Sequence, residues 1–149
     1  MDIHRIKYNN LKYITHSRVH YLWAINELNE RKRFARATDV ASLLGVTRSA
    51  VSIALAQLKS LQLVEEILPE HFLQLTPQGK KKLNDVDSNF ITLSRFFQSV
   101  LKLDEETATK QACLIEHLLL EEVAEKMNQL IDTKFKAEKT PVLRERAYD

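Results

Sequence analysis

From Ser17, a residue suited to capping a helix, the apolar positions Tyr21, Leu22, Ile25 and Leu28 recur at three- and four-residue intervals, the period of one helical face. This pattern predicts a first helix that ends near Asn29 or Glu30. Residues 1–16 are mixed basic and aromatic without a clean period and read as an N-terminal arm or a short extra helix. Thr38 precedes Asp39, Val40, Leu43 and Leu44, and Gly45 follows, which predicts a capped two-turn helix closed by a residue free to take positive φ. Thr47 opens the next helix. Its inward stripe is Val51, Leu55, Leu58 and Leu61, and the opposite face carries Ser49, Ser52, Ile53, Ala56 and Ser60.

Two short apolar stretches, Leu63-Val64 and Phe72-Leu73-Gln74-Leu75, flank residues 65–71 with Pro69 inside, and they predict a β-hairpin. Thr76-Pro77 is a cap with proline at the first helical position, followed by a long helix marked by Leu83, Val86, Phe90, Leu93, Phe97 and Leu101 and ending near Lys102-Leu103. Asp104-Glu105-Glu106 places carboxylates where a helix N-terminus favours them. Ala112, Ile115, Leu118 and Leu119 continue at helical spacing, and Val123, Met127, Leu130 and Ile131 extend or restart that helix. The charged tail from Lys134, with Pro141, is expected to fray over residues 135–149.

Helix, two-turn helix, glycine turn, helix and hairpin is the order of a winged helix-turn-helix, whose third helix enters the DNA major groove. The expected architecture is mainly α. Residues 1–79 form an N-terminal winged helix-turn-helix with a short hairpin wing, and residues 80–149 form an α-helical dimerisation and metal-binding domain. Only 2 Gly and 3 Pro in 149 residues, with 44% hydrophobic content, exclude collagen-like, loop-rich and largely disordered classes. A net charge of +2 conceals an asymmetry: residues 1–82 hold 13 basic and 7 acidic side chains, the remainder 9 and 13. A basic half points to a polyanion partner. A single cysteine excludes an intramolecular disulfide, and no apolar run approaches the roughly 18 residues of a membrane span. No signal-peptide h-region follows Met1, so a cytoplasmic protein without a membrane partner is expected.

A groove-reading helix needs short side chains at its outward N-terminal positions so that it seats against base edges. Thr47, Arg48, Ser49, Ser52 and Ile53 meet that need. Arg48 suits guanine or phosphate, the serines suit either, and Ile53 suits a thymine methyl. Lys59, Lys80 and Lys81, with Lys82 beside them, are candidates for phosphate contacts and a salt-dependent affinity. The hairpin tip is acidic, so it is expected to add little affinity.

In the second half Cys113, Glu116 and His117 stand at i, i+3 and i+4, which on a continuous helix puts a thiol, a carboxylate and an imidazole on one face. Such convergence suits a transition metal that takes a further ligand from elsewhere, and His20 on the first helix is the candidate. His16 and His20 are also i, i+4, a spacing frequent by chance. Three other readings of these residues stand beside the metal. The protein is a winged-helix regulator of the MarR type that acts constitutively or through an apolar ligand, a redox sensor built on Cys113, or an enzyme with Cys113 as nucleophile and His117 as base.

The segments Tyr21-Leu22-Trp23-Ala24-Ile25-Asn26-Glu27-Leu28, Asp39-Val40-Ala41-Ser42-Leu43-Leu44-Gly45-Val46-Thr47, Leu75-Thr76-Pro77-Gln78-Gly79 and Gln111-Ala112-Cys113-Leu114-Ile115-Glu116-His117 resemble the diphtheria-toxin-repressor (DtxR/MntR) family of metal-dependent repressors. The resemblance implies that Cys113, Glu116 and His117, with His20, bind a regulatory divalent metal, Fe(II) first and Mn(II) second. It implies a homodimer that represses transcription at a palindromic operator when metal is bound. The family's second metal site falls on Phe90, Ser94 and Thr109, none a good ligand, and Trp23 stands where the manganese branch has an acidic residue. One metal per protomer is therefore expected, with the softer sulfur favouring Fe(II), Co(II) or Zn(II) over Mn(II). Leu120 replaces the serine that usually caps the last helix, which leaves open that the last two helices are one. The apolar surplus of Phe90, Phe96, Phe97, Leu114, Leu118, Leu119 and Leu120 is expected to lie at the subunit interface.

Overall fold

The computed structural model describes residues 14–134; the expected frayed tail and most of the expected arm lie outside them. The elements are α1 (His16–Lys32), α2 (Ala37–Leu44), α3 (Arg48–Ser60), β1 (Val64–Ile67), β2 (Phe72–Leu75), α4 (Pro77–Ser99), α5 (Glu105–Ile115), a 3-10 turn (Glu116–Leu118) and α6 (Glu121–Lys134). The two strands form an antiparallel hairpin with Val64 opposite Leu75 and Ile67 opposite Phe72. This is the mainly helical winged architecture that the apolar spacing predicts. No single helix among the described residues is long and apolar enough to cross a membrane.

The first core explains the packing. Val19, Leu22, Ala24, Ile25 and Leu28 of α1 are buried with Val40, Val51, Leu55 and Leu58 of the next two helices and with Leu73 and Leu75 of the hairpin. The same core takes in Leu83 and Val86 of α4, so this helix carries rigidity past residue 80 into the second half. A second, smaller core joins Phe90 and Leu93 of α4 to Ala112 of α5, with Phe97, Cys113, Leu119 and Met127 packed against it. Phe90, expected at a subunit interface, is thus an interior residue.

Short-range chemistry sets the joints. Gly45 closes α2 at φ 64°, Thr47 caps α3 by accepting from Ala50 N at 3.2 Å, and Asp104 caps α5 by accepting from Thr107 N at 2.9 Å. Thr76 accepts from Gly79 N at 3.0 Å and donates to the Gln62 carbonyl at 2.6 Å, which ties the start of α4 to the chain leaving α3. At Gly79 a Cβ would overlap the Leu63 carbonyl oxygen, so only glycine lets the two backbones meet.

Four boundaries differ from the expected ones, and a fifth, left open by the sequence, is decided. The N-terminus of α1 lies one residue before Ser17, because Val19 N already bonds to Thr15 O at 3.1 Å; His16 is therefore helical and not part of an arm. Its C-terminus lies beyond Glu30, at Lys32, where Arg33 takes a left-handed conformation. In α2 the cap is Arg36, two residues ahead of Thr38, with its N–H donated to Asp39 Oδ2 at 3.2 Å. The apolar spacing of α4 runs on to Leu101, but Val100 N and Leu101 N both return to Phe96 O, Lys102 turns to φ 58°, and the helix stops at Ser99. Last, α5 and α6 are two helices. Asn89 of α4 donates to the Glu116 carbonyl at 2.9 Å and to the Leu119 carbonyl at 3.2 Å, and so satisfies acceptors that a continuous helix would have used internally.

Candidate metal centre and nucleic-acid face

The outward side of α3 carries the residues predicted to read DNA. Thr47, Arg48, Ser49 and Ser52 are exposed at its N-terminal end, and Ile53 is 63% exposed although it is apolar. The inward side is held by Val51, Ala54, Leu55 and Leu58, so the outward positions have no packing duty. Arg18 of α1 donates from Nε to Gln57 Oε1 at 2.9 Å and braces the helix. Lys80 is exposed at the first turns of α4, and Lys81 beside it pairs with Asp85 at 2.8 Å while keeping most of its surface in solvent. Lys59 differs from these. Its ammonium is held by Glu66 of β1, whose other oxygen takes His71 Nδ1 at 2.7 Å, and the Lys59 contact is the first cause holding the Glu66 carboxyl below its ordinary range. This assigns Lys59 to anchoring the wing on α3. A phosphate contact there would first have to break that pair.

The metal candidates gather where α1, α4, α5 and the 3-10 turn meet. Cys113 Sγ, near the end of α5, lies 3.9 Å from His20 Nε2 across 93 residues of sequence. His20 Nε2 in turn lies 3.1 Å from His16 Nε2 one helical turn earlier. The donor atoms of His16, His20 and Cys113 all fall within 4.8 Å of one another. Glu116 and His117 follow Cys113 on the adjoining turn, outside that group. The expected single helical face breaks here, since α5 ends at Ile115 and the pair belongs to the 3-10 turn. Glu116 is fully buried, where a carboxylate's charge must be balanced or its proton kept. The His117 ring stands 5.7 Å from that of His16, and it lines a cavity of about 330 Å³ between α4 and α6. Burial, with His16 and Lys82 adding to it, holds the His117 imidazole below its ordinary value of 6.5. It is therefore neutral, and so able to ligate, over a wider pH range than a solvated histidine.

The donor set fits a divalent cation. A thiolate and the Glu116 carboxylate together balance a charge of two, and the imidazoles add neutral donors. The Nδ1 atoms of His16 and His117 are buried and make no hydrogen bond among the described residues. Of the positions expected to lack the second site, Phe90 is in the second core, Ser94 is fully buried in α4 and Thr109 is half-buried on α5. Sequence reasoning missed His16. The i, i+4 spacing with His20 was the available signal, and placing residues 1–16 in an arm removed it from the site.

Fold and site together define a class, the winged-helix regulators that carry a metal-binding helical domain behind the reading head. Residues 76–138 match the family described as iron dependent repressor, metal binding and dimerisation domain. An uncharacterised HTH-type transcriptional regulator of Methanocaldococcus jannaschii is 31% identical over 109 residues, covering 73% of this chain and 86% of that protein. Among solved structures, a hypothetical protein of Sulfolobus solfataricus superposes with a TM-score of 0.70 at 19% identity over 80% of this chain and 91% of that one, a likeness of fold. The IdeR of T. acidophilum superposes with a TM-score of 0.60 at 25% identity over 83% of this chain. The match covers 55% of that longer regulator. The chain belongs to the diphtheria-toxin-repressor (DtxR/MntR) family of metal-dependent transcriptional repressors.

Proposed function

We propose that the chain is a divalent-metal-responsive repressor that binds a palindromic DNA operator as a homodimer. His20, Cys113, Glu116 and His117 hold one metal ion per protomer, Fe(II) before Mn(II). The observation that carries this reading is the meeting of Cys113 Sγ with His20 Nε2 at 3.9 Å. It joins a donor on α1, a helix of the reading head's own core, to a donor on α5. A ligand held by both binds best when α1 and α5 keep this arrangement, and by linkage it stabilises that placement of the reading head. The metal supplies positive charge and directed bonds at this joint; the chain's own residues do the rest. Thr47, Arg48, Ser49, Ser52 and Ile53 of α3 enter the major groove, and Lys80 and Lys81 at the start of α4 contact phosphates. Two copies bind two half-sites related by the protein's two-fold axis.

The test is an anaerobic titration of the metal-free chain with Fe(II), Mn(II), Co(II) and Zn(II), with stoichiometry and affinity for its own promoter DNA read together. One equivalent per protomer that raises DNA affinity, and loses the effect in Cys113→Ala, is expected. Metal binding without a change in DNA affinity would sink the co-repressor reading.

A further inference from the structure

His16 and His20 meet edge to face on the first turns of α1, with ring centroids 4.4 Å apart and Nε2 atoms 3.1 Å apart. Two imidazole lone pairs cannot face each other at that distance. Either a proton or a cation must lie between them. Cys113 Sγ closes the triangle from α5, 3.9 Å from His20 Nε2 and within 4.8 Å of the His16 donor. Bonds of about 2.1 Å to nitrogen and 2.3 Å to sulfur at a tetrahedral angle put donors about 3.4 Å (N to N) and 3.6 Å (N to S) apart. The two separations seen here lie within about 0.3 Å of those edges.

We propose that His16 is a further metal donor, and that with His20 and Cys113 it makes the centre select borderline cations such as Zn(II), Co(II) or Fe(II) over the harder Mn(II). This rests on the reading of His20 and Cys113 as metal-holding residues and adds a donor which that reading does not contain. The chemistry follows from the donor count. Each imidazole added beside a thiolate raises the nitrogen and sulfur share against the single buried carboxylate, and Mn(II) gains least from such donors. The position of His16 gives the donor a second effect. As the first residue of α1, it lets an ion shared with Cys113 hold the opening turn of α1 against α5.

The full chain is titrated with Co(II) under anaerobic conditions while optical absorption is recorded, for the wild type, His16→Ala and His16→Gln; Zn(II) and Mn(II) affinities come from competition. The wild type is expected to show thiolate-to-Co(II) charge transfer from Cys113. Both variants should keep that band, shift the ligand-field bands and bind Co(II) and Zn(II) more weakly by about tenfold or more. Their Mn(II) affinity should change by less than about threefold, so that the preference for Zn(II) falls. Variants with wild-type Co(II) affinity and ligand-field spectrum overturn the role of His16 and leave the parent reading standing. A wild type without any thiolate band overturns both. Variants whose metal-free melting temperature drops and that lose all three metals equally would mark His16 as a packing residue and end the proposal.

Discussion

His117 and Cys113 are the residues at which the proposed centre's response to pH and to metal type can be tested one side chain at a time. The folded protein holds His117 below its ordinary value of 6.5, mainly by burial, so as pH falls the unfolded chain takes up a proton there before the folded one does. The sign follows directly. Stability of the metal-free protein is full above 6.5, declines as pH falls through that value, and levels off once the folded pKa is passed. Melting temperatures recorded between about pH 5 and 8 should show this slope, and His117→Gln should flatten it. A rising melting temperature on acidification in that window would contradict the assignment. At Cys113 the chemistry is different. Replacing the thiol with the harder hydroxyl in Cys113→Ser should weaken Co(II) and Zn(II) binding by about 10–100-fold, measured by chelator competition, with the melting temperature of the metal-free chain little changed.

Among the elements, α4 bears most of the architecture, since it belongs to both cores and its side chain Asn89 shapes the turn after α5. Its start depends on Thr76 and Gly79. Thr76→Ala removes both a cap and a link to the Gln62 carbonyl and should cost about 1–2 kcal/mol in denaturant unfolding. Gly79→Ala pushes a methyl into the Leu63 backbone and should cost about 1–3 kcal/mol. Gly45→Ala is the contrast. It has open space for a Cβ, and only the positive φ resists it, at about 1 kcal/mol. A Gly79 variant as stable as wild type would mean that α3 and α4 can separate there without loss. The pattern of capping residues and apolar spacing made α3 and α4 readable at their N-termini to the residue and α5 to within its first turn, because Thr47, Thr76 and Asp104 act on the backbone beside them. The ends that went unread depend on distant groups: a side chain from α4 divides α5 from α6, and the spacing of Leu118 and Leu119 carries no trace of it.

For the whole molecule, the exposed apolar side chains Leu114, Ile115, Leu118 and Leu120 cluster in sequence around the turn between α5 and α6, in the segment matched by the metal-binding and dimerisation domain. Burial of such a patch against a second copy is the expected route to the homodimer. The double variant Leu114→Asp, Leu118→Asp should shift sedimentation equilibrium from dimer to monomer while circular dichroism stays helical. An unchanged dimer would place the interface elsewhere. On DNA, Arg48→Ala should lower operator affinity and reduce the salt slope of binding by about one unit if Arg48 contacts phosphate. If it reads guanine, the loss should be about 1–3 kcal/mol and confined to one base position.

The order of elements, the winged helix-turn-helix, the outward set on α3 and the chemical character of the candidate donors all followed from the chain itself, because periodicity, caps and residue chemistry act over a few neighbours. Tertiary structure alone decided which donors meet. His16 meets His20 and Cys113 because α1 begins early enough to make it helical and α5 packs beside it, and Lys59 is paired because β1 brings Glu66 to the end of α3. Glu116 and His117 left the helical face of Cys113 because Asn89 ends α5. The meetings of Lys59 with Glu66, of Asn89 with the Glu116 carbonyl and of Cys113 with His20 join residues 7, 27 and 93 positions apart, and no local pattern encodes them.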